Sequence, residues 1–176
     1  MIFHKTPLPG SWVVQCEPIE DDRGAFARTF AVEEFERQGM NPSVQQCSIS
    51  FNPRRGTLRG LHYQADPHGE CKLIRCTRGA IFDVLVDIRP ESPSYGRWFG
   101  VELTPDNGRL LYAPAGVAHG LLTLADTTEI AYQMSAPHVP SAARGLRWND
   151  PAFGIEWPAE VTVISERDRT YPDFGV

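Results

Sequence analysis

Apolar and polar positions alternate along most of this chain in short runs separated by glycine and proline. The alternation is clearest in Ala80–Ile88. There an extended strand would carry Phe82, Val84, Val86 and Ile88 on one face and Ile81, Asp83, Leu85 and Asp87 on the other. Similar runs predict strands at Trp12–Cys16, Val44–Phe51, Lys72–Thr77, Arg97–Leu103, Arg109–Ala113, Gly120–Leu124 and Glu129–Met134. Pro105-Asp106-Asn107-Gly108 predicts a turn, because Asn and Gly accept positive φ. A helix is expected from about Val32 to Gln38, closed by Gly39 just past its end. Strands at roughly 8–12-residue spacing with almost no helix predict an all-β sandwich or barrel. A small antiparallel barrel has a mouth wide enough for one small ligand.

Composition narrows the picture. The chain has 176 residues, 41% hydrophobic and 22% charged, which suits a single domain spanning residues 1–176 with a sizeable core. No apolar run approaches the ~18–20 residues of a membrane span, and no basic region precedes an apolar block at the N-terminus, so a cytoplasmic protein is expected. Cys16, Cys47, Cys71 and Cys76 form no CxxC pair and are expected to be reduced packing residues. A net charge of −5 argues against nucleic acid as partner. Charge is uneven, however: Arg54, Arg55, Arg59, Lys72, Arg75 and Arg78 crowd one stretch that holds only Asp66 and Glu70 as acids. Such a patch suits a small anionic ligand.

Within that stretch lies Gly56-Thr57-Leu58-Arg59-Gly60-Leu61-His62-Tyr63-Gln64. An unbroken strand would place Arg59 and His62 on opposite faces, but a bend at Gly60 would turn both toward one pocket. Histidine moves protons near neutral pH, and arginine grips phosphate at two points. A second informative stretch, Pro114-Ala115-Gly116-Val117-Ala118-His119-Gly120, matches the PxGxxH motif of cupin jelly rolls. The other cupin motif is present only in outline, with His62, Gln64, Glu70 and His119 as a weak ligand set, so no metal or other cofactor is expected.

Together these motifs resemble the dTDP-4-dehydrorhamnose 3,5-epimerase family, and the resemblance spans nearly the whole chain. It is carried by Asp22-Arg23-Gly24-Ala25-Phe26, the Gly56–Gln64 stretch, Lys72-Leu73-Ile74-Arg75, Phe82-Asp83-Val84 and Asp87-Ile88-Arg89. It continues through Gly116–Gly120, Tyr132, Trp148-Asn149-Asp150-Pro151 and Ser165-Glu166-Arg167-Asp168. The resemblance implies a cupin-type jelly-roll barrel with short peripheral helices, usually a homodimer. The N-terminal arm, about residues 1–30, would then be shared with the neighbouring subunit. It further implies inversion of C3, C5 or both in a nucleoside-diphosphate 4-keto-6-deoxy sugar, in deoxysugar or surface-polysaccharide biosynthesis. His62 would be the base, Asp168 its orienting carboxylate, Tyr132 the opposing acid, and Lys72, positioned by Asp83, the partner of the C4 oxygen. Arg23 and Arg59 would hold the diphosphate, Phe26 would stack on base or sugar, and His119 would line the site. Taken singly, Tyr132 on a strand, Lys72 at a strand start, Asp168 near the C-terminus and Arg23 before a glycine have ordinary structural readings. Their shared order raises them above that.

Three departures fall in the recognition set. Arg28 stands where the family usually has glutamate, and His138 where it usually has a second tyrosine. In Gln46-Cys47-Ser48, Ser48 replaces a common asparagine, and one extra residue precedes Gly56. A guanidinium in place of a carboxylate exchanges acceptors for donors, so the reaction type is expected to be kept while nucleotide and sugar stay open. Three other readings remain: a 3,4-ketoisomerase, a metal-dependent cupin and a non-catalytic sugar-binding module.

Overall fold

The computed structural model describes residues 1–175. In chain order its strands are β1 (Ile2–Lys5), β2 (Trp12–Gln15), β3 (Ile19–Asp21), β4 (Gly24–Phe26), β5 (Gln46–Asn52), β6 (Thr57–Gln64) and β7 (Lys72–Arg78). They continue with β8 (Ile81–Asp87), β9 (Trp98–Leu103), β10 (Arg109–Ala113), β11 (Val117–Thr123), β12 (Thr128–Met134), β13 (Ala143–Gly145) and β14 (Val163–Ile164). Two helices, α1 (Val32–Arg37) and α2 (Glu166–Arg169), lie outside them. One sheet runs β1-β2-β10-β7-β12-β5 and the other β13-β6-β11-β8-β9, with β14 added in parallel to β6; β3 and β4 form a separate hairpin. This is an all-β jelly roll.

The alternation read in β8 is the one that builds the core. Ile81 and Leu85 point between the sheets, where they meet Ile74, Leu111, Leu121 and Ile130. Val84 and Val86 point the other way, onto Leu61 of β6 and onto Leu146 and Phe153 from the C-terminal segment, so both faces of this strand are buried. The opposite sheet covers its outer face with α1, which lays Phe35 against Trp12, Leu73 and Tyr112. Alternation also sets which side chains reach the mouth of the barrel. Lys72 shares its face of β7 with Ile74 and Cys76, and Tyr132 shares its face of β12 with Ile130, so both point inward.

Helix α1 ends as expected, with Gly39 at φ +73° and its N–H bonded to the Glu36 carbonyl. The Pro105–Gly108 turn also forms: Asn107 Oδ1 accepts from the N–H groups of Thr104 and Arg109. Two expectations need correcting. β11 begins at Val117 rather than Gly120, because Gly116 at φ +76° completes the turn and lets pairing start at once. α2 has no counterpart in the predicted elements, since four residues show too little periodicity to register. Its signature is a cap instead: Ser165 Oγ accepts from the Asp168 N–H, as the Ser-x-x-Asp spacing allows. Cys16, Cys47, Cys71 and Cys76 are all free thiols.

Candidate active site

The bend at Gly60 organises the site. Gly60 sits at φ +128°, and a Cβ there would lie 2.5 Å from the Cα of Gly120 on β11. Only two glycines allow the strands to cross so closely. At this crossing the β6–β11 pairing slips by a residue, so His62 pairs with His119 while Arg59 pairs with Leu121. Arg59 and His62, on opposite faces of an unbroken strand, thereby both face a cavity of ≈ 670 Å³. Lys72, His119, Tyr132 and Asp168 line the same cavity, and Ser48 stands on its β5 wall.

His62 carries its partner from the C-terminus. Its Nε2 lies 2.7 Å from Asp168 Oδ1, while the Gly60 N–H donates to Asp168 Oδ2 at 3.2 Å. With the proton assigned to Nε2 by that carboxylate, Nδ1 is the basic nitrogen. The His62 side chain is 39% exposed and Asp168 only 6%. Burial pushes the Asp168 carboxyl up, but the His62 ring, the Gly60 N–H and Ser165 outweigh it and hold the group below the usual carboxylate range. A fixed carboxylate thus backs a solvent-facing imidazole. The arrangement suits proton removal, with the imidazolium stabilised as it forms.

Tyr132 is the complement. Burial, reinforced by the nearby Asp83, pushes its phenol well above the ordinary range, so it keeps its proton at neutral pH. Its ring stands edge-on to His119, with centroids 6.1 Å apart. Lys72 supplies positive charge: its Nζ lies 3.2 Å from Glu70 Oε1, with side-chain exposures of 14% and 9%. Such an ammonium group can stabilise an oxyanion.

Several expected residues lie elsewhere. Asp83 does not pair with Lys72; it is fully buried behind the cavity wall and bonds His119 Nε2 at 2.7 Å. The reason is topological, since β8 neighbours β11 within one sheet whereas β7 belongs to the other. Burial in turn raises the Asp83 carboxyl, against the pull of His119 and Lys72. Lys72 takes Glu70 as its partner instead. Arg23, Phe26 and Arg28 do not reach this chain's cavity. Arg23 pairs with Asp21, Arg28 with Glu34, and Phe26 is 73% exposed on the β3–β4 hairpin. Gln46 is likewise set back, its Oε1 accepting the His138 N–H at 2.6 Å, which fixes the loop carrying His138 beside a smaller pocket. Of the outlined ligand set, Gln64 spends its amide on the backbone of His68, Pro137 and Val139. Among the described residues no three His, Cys, Asp or Glu side chains converge as metal ligands would.

Two residues were overlooked. Arg167 lines the cavity mouth from α2, and its Nε donates to the Tyr171 hydroxyl at 2.6 Å. The Tyr171 ring stands edge-on to His62, with centroids 6.4 Å apart. The cap at Ser165 is the sequence signal that would have found Arg167, because it turns residues 166–169 into a helix beside β6.

A family model described as dTDP-4-dehydrorhamnose 3,5-epimerase matches residues 5–175. A protein of that name from Sinorhizobium fredii is 42% identical over 99% of this chain and 90% of its own length. A dTDP-4-dehydrorhamnose 3-epimerase from Streptomyces niveus is 34% identical over 92% of this chain and 78% of its own. The crystal structure of dTDP-4-dehydrorhamnose 3,5-epimerase from Bacillus anthracis, with TDP and pyrophosphate bound, superposes with a TM-score of 0.94. It is 34% identical, and the match covers 98% of each chain.

Proposed function

The chain belongs to the dTDP-4-dehydrorhamnose 3,5-epimerase family, and from that premise we propose that His62 and Tyr132 invert centres beside the ketone of a nucleoside-diphosphate 4-keto-6-deoxy sugar. The protein is an isomerase with a cupin jelly-roll fold, of the deoxysugar-biosynthesis type. A proton on C3 or C5 is acidic because the electrons left behind spread onto the C4 oxygen as an enolate. His62 takes that proton from one face, and Asp168 stabilises the imidazolium. Lys72 faces the C4 oxygen as negative charge grows there. Tyr132 returns a proton to the other face of the same carbon, and solvent restores both groups. Nothing is oxidised overall, since the electron pair that leaves the C–H bond comes back to it. The observation that carries this reading is the convergence of a carboxylate-backed imidazole, an ammonium group and a protonated phenol on one cavity.

Arg59 on the cavity wall suits the diphosphate, with Ser48 beside it. Arg23, Phe26 and Arg28 serve a second copy. The β3–β4 hairpin that carries Arg23 and Phe26 leaves Ile19 72% and Phe26 73% exposed, while the edge strand β5 presents Ile49 at 70% and Phe51 at 53%. An exposed apolar edge of this kind is ordinarily covered, and a homodimer that exchanges the hairpins covers it. Mixing inactive His62→Asn subunits with inactive Arg23→Ala subunits should restore activity if the site is shared, and should not if each chain uses its own hairpin.

The direct test is deuterium uptake from heavy water at C3 and C5 of dTDP-4-keto-6-deoxyglucose, read by NMR. Wild-type protein should exchange and His62→Asn should not. A folded wild-type protein that exchanges neither position, with thymidine, uridine or guanosine diphosphate as carrier, would overturn the reading. Migration of the carbonyl to C3 would replace epimerisation with ketoisomerisation.

A further inference from the structure

Beside the main cavity lies a smaller one of ≈ 200 Å³. The two share His62, Lys72 and Arg167, whereas Tyr132 lines only the larger one. The small pocket therefore opens on the histidine side, next to the ammonium group. Its remaining wall sets the polar groups of Glu70, His138, Arg144 and the buried Gln64 beside Tyr63 and Ala143. The wall is also held in place. Arg144 Nη1 donates to the Ser141 and Ala143 carbonyls at 2.9 and 3.0 Å, Gln46 fixes the His138 backbone, and Gln64 bridges the His68 and Pro137 carbonyls.

The stereochemistry of inversion gives such a pocket a use. When a proton leaves toward His62 and another arrives from the Tyr132 side, the substituent on that carbon swings onto the face from which the first proton left. After one turnover, the inverted substituent points toward His62. At C3 that substituent is a hydroxyl and at C5 a methyl. A hydroxyl both donates and accepts, and the pocket offers the matching pair, with Glu70 as acceptor and Arg144, Arg167 and His138 as donors. A methyl would strip water from these polar groups and leave their hydrogen bonds unmade. A carboxylate or phosphate substituent would meet Glu70 as a like charge.

Building on the epimerase reading, we propose that this side pocket receives the inverted C3 hydroxyl and makes the enzyme selective for C3 over C5, with Arg144 and His138 as the specificity-determining residues. They act on the partition between the two carbons, and His62 and Tyr132 do the chemistry at either.

The experiment follows deuterium at both carbons of dTDP-4-keto-6-deoxyglucose in one heavy-water reaction. In the wild type, exchange at C3 should outpace C5 by about tenfold or more, as one hydrogen bond to a charged group allows. Arg144→Met and His138→Phe, separately and together, should bring the ratio toward unity through a slower C3 reaction. Because the ratio is internal to each protein, a loss of stability or of active fraction leaves it unchanged. Equal C3 and C5 exchange in the wild type, or a C3 preference that survives the double variant, overturns the proposal while leaving the epimerase intact. No exchange at either carbon in folded wild-type protein overturns the epimerase reading, and this selectivity with it.

Discussion

Two histidine–carboxylate pairs stand side by side on paired strands, and they differ in almost everything but geometry. His62 and His119 are register partners on β6 and β11, and each holds a carboxylate oxygen 2.7 Å from Nε2. His62 faces the cavity at 39% exposure, and its carboxylate is held below the ordinary range by three donors besides the ring's charge. His119 is 6% exposed, and Asp83 behind it is raised by burial, with its second oxygen unpartnered. The same two side-chain types at the same distance thus make a proton-transfer group in one place and a buried part of the cavity wall in the other. What separates them is how many donors the carboxylate has and whether water reaches the ring.

Substitution of the two histidines should break the symmetry most sharply. His62→Asn should lower deuterium exchange by about 10³-fold while costing only about 1 kcal/mol of stability. His119→Asn should do the reverse, lowering stability by about 3 kcal/mol, because an unpaired Asp83 is left buried, and exchange by no more than about tenfold. Urea unfolding beside the exchange assay reads both quantities. The shared crossing is the next target. Gly60→Ala would force a Cβ to within 2.5 Å of Gly120 and should destabilise the protein by about 3 kcal/mol, disturbing both pairs at once. Asp168→Asn should cost about 10² in turnover with the fold retained, since it acts by orienting His62.

Smaller in size but opposite in sign are the two pH dependences. Asp168 has a lowered pKa, so its contribution to stability is full above the unfolded value of about 3.9 and is lost as acid protonates the folded group below it. Asp83 has a raised pKa, so the native state keeps a proton that the unfolded chain has already released. Stability therefore falls as pH rises from about 3.9 through its folded value. Asp168→Asn should flatten the acid limb of the stability profile, and Asp83→Asn the decline above it. Denaturant midpoints from pH 2 to 8 distinguish the two.

Much of this was legible in the chain. The period-2 pattern of Ala80–Ile88 assigns each side chain of β8 to the layer it occupies, and the bend at Gly60 follows from a glycine between residues of opposite parity. Motif order brought His62, Lys72, Tyr132 and Asp168 to one cavity from four separate elements. The partnerships were harder. The family resemblance pairs Lys72 with Asp83, yet strand order gives Asp83 to His119 and loop proximity gives Lys72 to Glu70. Parity states which face a residue takes and not which strand lies beside it. The resemblance sends Arg23 and Phe26 into a neighbouring subunit's site, and within one chain they and Arg28 stand outside the cavity. No intrachain pattern could say whose cavity they serve.

The central claim is that imidazole and phenol work on opposite faces of one carbon, and Tyr132→Phe in heavy water tests it most directly. With the phenol proton gone and His62 intact, the enolate still forms and is reprotonated from the side it left. Deuterium should therefore enter the sugar at a substantial rate without inversion, and the starting stereoisomer should become labelled. Retained inversion in this variant, or loss of labelling and inversion to the same degree, would contradict the two-face account.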